Sequence, residues 1–159
     1  MQTRTLRATI AELETLIPLF DAYRVFYQQA SDPLMARTFL SERFQHQDSV
    51  IFLAVDENSY GQGFVQLYPS FSSVSAKRLW ILNDLFVAHS ARRQGVAKNL
   101  MNRARDFAIE TNAKGLFLET AHDNFHGQSL YESLGYQKNS EYYYFLDLQN
   151  TASIDARHA

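Results

Sequence analysis

Arg92-Arg93-Gln94-Gly95-Val96-Ala97 places two cations, a glycine and a small residue immediately ahead of a helical apolar period. Val96, Leu100, Ala104, Phe107 and Ala108 carry that period, with polar Asn99, Arg103, Arg105 and Asp106 between them. Such spacing makes an amphipathic helix with one face on a core. The first N–H groups of a helix have no partner within it and lie at the positive end of its dipole. A phosphate placed there meets several donors at once. Gly95 removes the Cβ that would hold a ligand off the backbone, Ala97 keeps its position small, and Arg92 and Arg93 add charge. The chemistry this points to is anion binding, with a phosphate as the ligand. The competing reading is an ordinary strand–turn–helix with a solvated basic turn.

The rest of the chain must supply elements that position this turn. Leu6, Ala8 and Ile10 alternate with Arg7 and Thr9 as a first strand, over residues 5–9. Thr9 with Glu12 three residues on fits a capping box. The helix it opens carries Leu13, Leu16, Ile17, Phe20, Tyr23 and Tyr27, with Pro18 implying a kink or a restart. The aromatic stripe Phe20, Tyr23, Tyr27 reads as core packing, or in part as the lining of an acceptor cleft to which Tyr23 and Tyr27 offer hydroxyls. Ser31-Asp32-Pro33 starts a second helix, residues 34–45. Residues 49–55 and 63–68 form a hairpin around Glu57-Asn58-Ser59-Tyr60-Gly61, and the serine-rich stretch 69–76 is a surface loop. A strand over 78–87 leads into the basic turn. After the long helix, Lys114-Gly115 closes it, 116–120 is a strand, 124–134 a helix stopping at Gly135, 142–148 a final strand and 149–159 a polar tail. The order βααβββαβαβ predicts one mixed α/β sheet, the basic-turn helix crossing between two parallel strands.

A chain of 159 residues, 46% apolar and 14% aromatic, is one globular domain with a proper core. A formal charge of −2 gives no whole-molecule attraction to nucleic acid or to anionic lipid. With no cysteine there are no disulfides, no thiolate nucleophile and no cysteine metal site. No signal peptide and no membrane-spanning run is expected, so cytoplasmic localisation is the expectation. His122 and His126 have the spacing of two metal ligands without a third, and no metal is expected. Gly61-x-Gly63 precedes a strand and is not a dinucleotide fingerprint.

Arg92-x-x-Gly95-x-Ala97 resembles the (Gln/Arg)-x-x-Gly-x-(Gly/Ala) pyrophosphate loop of the GNAT superfamily of acyl-CoA N-acyltransferases. Asn124-Phe-His-Gly127-Gln-Ser-Leu130-Tyr131-Glu-Ser-Leu-Gly135-Tyr136 resembles that superfamily's C-terminal signature, with Gly127 where alanine is commoner. One helix and one strand separate the two, as the family requires. The resemblance covers roughly residues 49–148, and Phe20 to Tyr27 is similar to bacterial members related to polyamine and histone acetyltransferases.

The resemblance implies an α/β (α+β) fold with a mixed, mostly antiparallel sheet, flanking helices and a V-shaped splay between two central parallel strands. A single N-acetyltransferase domain would span 1–148. Acetyl-CoA is the implied co-substrate, held by Phe86 and Val87 backbone, by Arg92, Arg93, Gln94, Gly95, Val96, Ala97 and Lys98, and by Asn124 and Tyr131. Tyr131 would be the general acid that protonates the leaving thiolate; its plainer reading is a core tyrosine. An ordinary phenol, with a pKa near 10, is protonated at pH 7 as an acid must be. A lysine-like amine lies about 3.4 units below its pKa at pH 7, so freeing it costs roughly 4–5 kcal/mol. Asp84 and Glu119 are the carboxylates on the central strands that would ease this step or bind a cationic acceptor, and strand register decides between them. The acceptor is a small amine, a polyamine or a protein lysine, with Tyr23 and Tyr27 lining its site, and a homodimer is implied by the resemblance alone. The alternative function is a non-catalytic acyl-CoA-binding regulatory module.

Overall fold

The computed structural model describes residues 2–150; the expected polar tail lies outside the described residues beyond that point. Two compact units, residues 1–121 and 122–159, make up the chain. The first holds β1 (Arg4–Arg7), α1 (Leu13–Phe26), α2 (Pro33–His46), β2 (Val50–Val55), β3 (Gly61–Ser72), β4 (Lys77–Val87), α3 (Val96–Glu110) and β5 (Gly115–Phe117); the second holds α4 (Phe125–Ser133). The five strands lie in the order β1-β2-β3-β4-β5, every pairing antiparallel except the parallel β4–β5.

All six β2 residues are buried, because both sheet faces are covered there. A strand covered on both sides reads as an unbroken apolar run rather than an alternation. On one face Leu16 and Phe20 of α1 and Leu40 of α2 pack with Ile51, Leu53, Val55 and Phe64. On the other, Phe107 of α3 meets Phe52 at 5.5 Å and Trp80 at 5.1 Å between ring centroids. Fully burying side chains of this size contributes about 1.5–3 kcal/mol each.

Thr9 and Glu12 form the expected capping box, around a 3-10 turn (Ile10–Glu12) that runs directly into α1. Pro18 lies inside α1 with no restart; past the first turn, its ring forgoes one intrahelical bond. The basic-turn helix ends earlier than expected. α3 stops at Glu110, Asn112 takes left-handed backbone with φ 55°, and Gly115 is the first residue of β5. Asparagine substitutes for glycine at such a helix end. β3 also runs past Pro69 to Ser72, into the stretch expected to be loop. The last β2–β3 pair is Val50–Leu67, so Pro69 lies on an open edge where no ladder N–H is needed. The expected final strand, 142–148, is not a strand: through Asp147 the backbone is irregular, and Tyr142 to Leu146 are exposed. Its aromatic content gives β-propensity, but a strand persists only when paired, and no ladder includes it among the described residues.

One irregularity in β4 matters for the site. Gln66 pairs with Asp84 and the next residue, Leu67, with Leu82, so Asn83 is an extra residue in the ladder. An inserted residue reverses which face the following side chains occupy. Trp80 accordingly packs on Phe107 under α3, while even-numbered Phe86 lies against Tyr23 and Phe64 on the α1 side.

Candidate active site

The basic turn follows β4 through a short 3-10 turn, His89–Ala91, whose Ala91 is buried as an anchor. Arg93 and Gly95 then take left-handed backbone, φ 62° and 79°. A Cβ at Gly95 would meet nothing within 4 Å, so it is the backbone angle and not crowding that calls for glycine. Gly95 is also the N-cap of α3 and offers no side chain to it, whereas Asp32 caps α2 by accepting from the Met35 N–H at 3.0 Å. The first N–H groups of α3 are thus left for another acceptor. Gln94 Nε2 donates to the Ser90 carbonyl at 3.0 Å and Arg92 Nε to the Val87 carbonyl at 3.3 Å, bracing the turn from both sides. Arg92, Arg93, Gln94, Gly95 and Lys98 are exposed. A groove of about 600 Å³ runs from this turn toward α1, with Leu19, Tyr60, Phe86, His89 and Arg92 on its walls.

The β4–β5 ladder is short. It joins Leu79–Gly115, Trp80–Leu116 and Ile81–Phe117 and goes no further. From Leu82 to Val87, β4 has no strand beside it on that edge among the described residues, which is the splay between parallel strands. Phe86 and Val87 fall on this stretch. Behind it β3 approaches closely: a Cβ at Gly63 would stand 2.5 Å from the Phe86 carbonyl oxygen.

Asp84, turned to the α1 face by the bulge, is buried. Gln66 Nε2, fully buried, donates to its Oδ2 at 2.6 Å, and Asn83 Nδ2 to its Oδ1 at 3.0 Å. The Tyr23 hydroxyl lies beside this carboxylate; burial, and then the Asp84 charge, hold that phenol well above the usual tyrosine range. Gln66 Nε2 lies 3.2 Å from the Tyr68 hydroxyl, and burial followed by Asp84 raises that phenol too. Phe86 stands 6.3 Å from Tyr23, and Tyr27 5.0 Å from it in an edge contact. The arrangement can orient a carboxylate in a dry, aromatic setting and keep two neutral hydroxyls beside it.

Of the expected residues, the first unit brings Tyr23, Tyr27 and Asp84 together and sets Phe86 near them. Glu119 is exposed beyond the end of β5, on no strand, because β5 spans three residues rather than the expected five. In the second unit Asn124 is the N-cap of α4, its Oδ1 accepting from the Gly127 N–H at 3.1 Å. A Cβ at residue 127 would lie 2.5 Å from Asn124 Nδ2, the movable end of that side chain. Tyr131 is half-buried on α4, its ring 6.3 Å from that of Tyr136. Gln66, Tyr68 and the Asn83 bulge were not anticipated. The one available signal was Gln66, a polar residue inside the apolar run Phe64 to Leu67.

Comparison with known proteins agrees with this geometry. The family model described as Acetyltransferase (GNAT) family matches residues 16–136. An uncharacterized N-acetyltransferase of Bacillus subtilis, YhfO, is 45% identical over 139 residues, 87% of this chain and 93% of that one. A probable acetyltransferase of Haemophilus influenzae is 39% identical over 127 residues, covering 80% of this chain and 85% of that one. A crystal structure of a probable acetyltransferase superposes with TM-score 0.87 at 46% identity, over 91% of this chain and 97% of the other. An aminoglycoside N-acetyltransferase in complex with CoA shares the fold, with TM-score 0.78 at 17% identity over 92% and 95% of the two chains.

Proposed function

The chain belongs to the GNAT family of acetyltransferases, and from that premise we propose that it moves an acetyl group from acetyl-CoA to a primary amine, by direct attack in a ternary complex. The observation that carries this reading is the start of α3, where a left-handed glycine N-cap leaves the helix N–H groups without a side-chain partner. A pyrophosphate is the ligand such a helix end accepts best. The N–H groups of Arg93 to Ala97 hold it, with Arg92 and Lys98 in reach of further phosphate oxygens. The backbone of Phe86 and Val87, on the open edge of β4, meets the pantetheine arm as a neighbouring strand would. Asn124, whose Oδ1 caps α4, meets the far part of the arm.

Acetyl-CoA supplies a thioester carbonyl carbon, at which the amine forms a C–N bond as the C–S bond breaks. Tyr131 donates its hydroxyl proton to the departing sulfur and is reprotonated by the proton the new amide sheds. Asp84 is the carboxylate that serves the amine, in preference to Glu119, which is exposed and off the strand. Tyr23 and Tyr27 line the acceptor side. A single acetyltransferase domain spans residues 1–148.

The test is thiol release from acetyl-CoA over a panel of alkylamines, amino sugars and lysine peptides. Acceptor-dependent release is expected, and Tyr131→Phe should lower kcat by about 100-fold, the scale of a lost general acid, with CoA affinity unchanged. No release with any amine, while acetyl-CoA still raises the melting temperature, would favour the non-catalytic acyl-CoA-binding module.

A further inference from the structure

Acetyl transfer does not account for the whole of the groove that runs from the basic turn toward α1. Its volume of about 600 Å³ is that of a site enclosing a small organic ligand. Among the described residues, none of Asp84, Tyr23, Tyr27 and Tyr68 lines it, so it is distinct from the buried carboxylate cluster. One wall is a turn held rigidly so as to present a ring. Asp56, buried, accepts from the Asn58 and Tyr60 N–H groups at 2.9 Å each and from Gln62 Nε2 at 3.2 Å. The Asp56 N–H donates to the Tyr60 carbonyl at 3.0 Å. The backbone then lies flush on α1 at Gly61, where a Cβ would stand 2.8 Å from Leu19 Cδ1. Tyr60 enters this turn through its backbone, while its side chain is left 70% exposed at the groove.

The lining is suited to one class of ligand. Leu19, Tyr60 and Phe86 offer apolar surface and two aromatic rings to a flat apolar body. The charged lining is one-sided in what it leaves open. Glu14 is closed off by Arg37, which donates to its two oxygens at 2.6 and 2.8 Å. Arg92 donates from Nε to the Val87 carbonyl, and among the described residues its two Nη groups bond nothing. A guanidinium edge matches a carboxylate in shape and charge, and His89 adds an imidazole beside it. A cationic ligand would meet Arg92 with nothing to balance it, and an uncharged one would leave the guanidinium unused.

We propose that this groove, with Tyr60, Leu19 and Phe86 around the ligand body and Arg92 and His89 at its charge, is a binding site for a small aromatic carboxylate. The site goes beyond acetyl transfer, because such a ligand is neither the acyl donor nor the acceptor amine. Asp56 is a positioning residue here, since it fixes the turn from which Tyr60 projects.

Calorimetry on the full chain with phenylacetate, phenylacetamide and acetate tests this. The first two are alike in shape and differ in charge, and the third carries the charge without the ring. Phenylacetate should bind about tenfold more tightly than the amide, the scale of one charge-assisted hydrogen bond, and acetate should not bind measurably. Tyr60→Ala should weaken phenylacetate about tenfold through the lost ring contact, with the melting temperature and the affinity for CoA unchanged. Arg92→Gln should erase the preference for the acid over the amide. Equal binding of acid and amide, or no binding of either, overturns the proposal. So does acetate binding as tightly as phenylacetate, or phenylacetate binding that is indifferent to Tyr60→Ala, since both would place the anion at the start of α3 and not in the groove. The comparison of the three ligands on the native protein needs no variant, so it decides even if a substitution disturbs the turn.

Discussion

Gln66 and Asp84 face each other directly across the β3–β4 ladder, with the glutamine amide nitrogen 2.6 Å from the carboxylate and both side chains buried. Neither has water to fall back on. Replacing Gln66 with Leu keeps the volume roughly constant but leaves Asp84 short of a donor, so a loss of about 1–3 kcal/mol is expected. Urea unfolding of the variant measures it; an unchanged midpoint would mean that Asn83 satisfies Asp84 without help.

Gly95→Ala separates stability from ligand binding. The left-handed angle costs a non-glycine residue about 1–2 kcal/mol, while the open space around its Cβ adds no clash. A modest fall in melting temperature is expected, together with a rise in KM for acetyl-CoA of tenfold or more, because the new methyl would stand where the proposed pyrophosphate site lies. A variant with normal KM would move the anion away from the α3 N-terminus.

The buried phenols predict an alkaline weakness. Tyr23 and Tyr68 hold their protons more tightly folded than unfolded, so their contribution is complete below the unfolded phenol pKa of about 10 and falls away as pH rises beyond it. Unfolding midpoints taken on either side of pH 10 should show the decline. Tyr23→Phe and Tyr68→Phe should each flatten it, since neither leaves a phenol there to ionise.

The loop between α1 and α2 hangs on one side chain. Asp21 accepts from Ser31 Oγ at 2.6 Å and from the Asp32 N–H at 2.7 Å. Asp21→Ala removes both bonds and should cost about 1–3 kcal/mol, with new proteolytic cleavage between Gln28 and Ser31. Because the loop follows Tyr23 and Tyr27, KM for the acceptor should rise while KM for acetyl-CoA holds.

How much of this was legible beforehand depends on the range of the cause. The Thr9–Glu12 capping box and the α3 apolar stripe are local patterns, and each occurs where the residues predict. The basic turn was legible for the same reason, since left-handed glycine and helix start adjoin in sequence. Whether Tyr142 to Leu148 pairs as a strand depends on a neighbour far along the chain, and its own alternation says nothing of that. The orientation of Asp84 was hidden because it depends on a single inserted residue, and strand alternation counted from Trp80 puts this carboxylate under α3. Gln66 was conspicuous as the polar member of a buried run, but its purpose appears only with the strand pairing.

The inserted Asn83 gives β4 two halves of opposite parity. Before it, even-numbered positions answer to packing under α3; after it, even-numbered positions answer to the chemistry on the α1 face. A ladder in which Asn83 paired regularly instead of bulging would leave every motif and the whole composition intact. It would nevertheless turn Asp84 under α3 and put Leu85 on the α1 face, so that a chain still readable as a GNAT protein would have lost the carboxylate proposed to serve its acceptor.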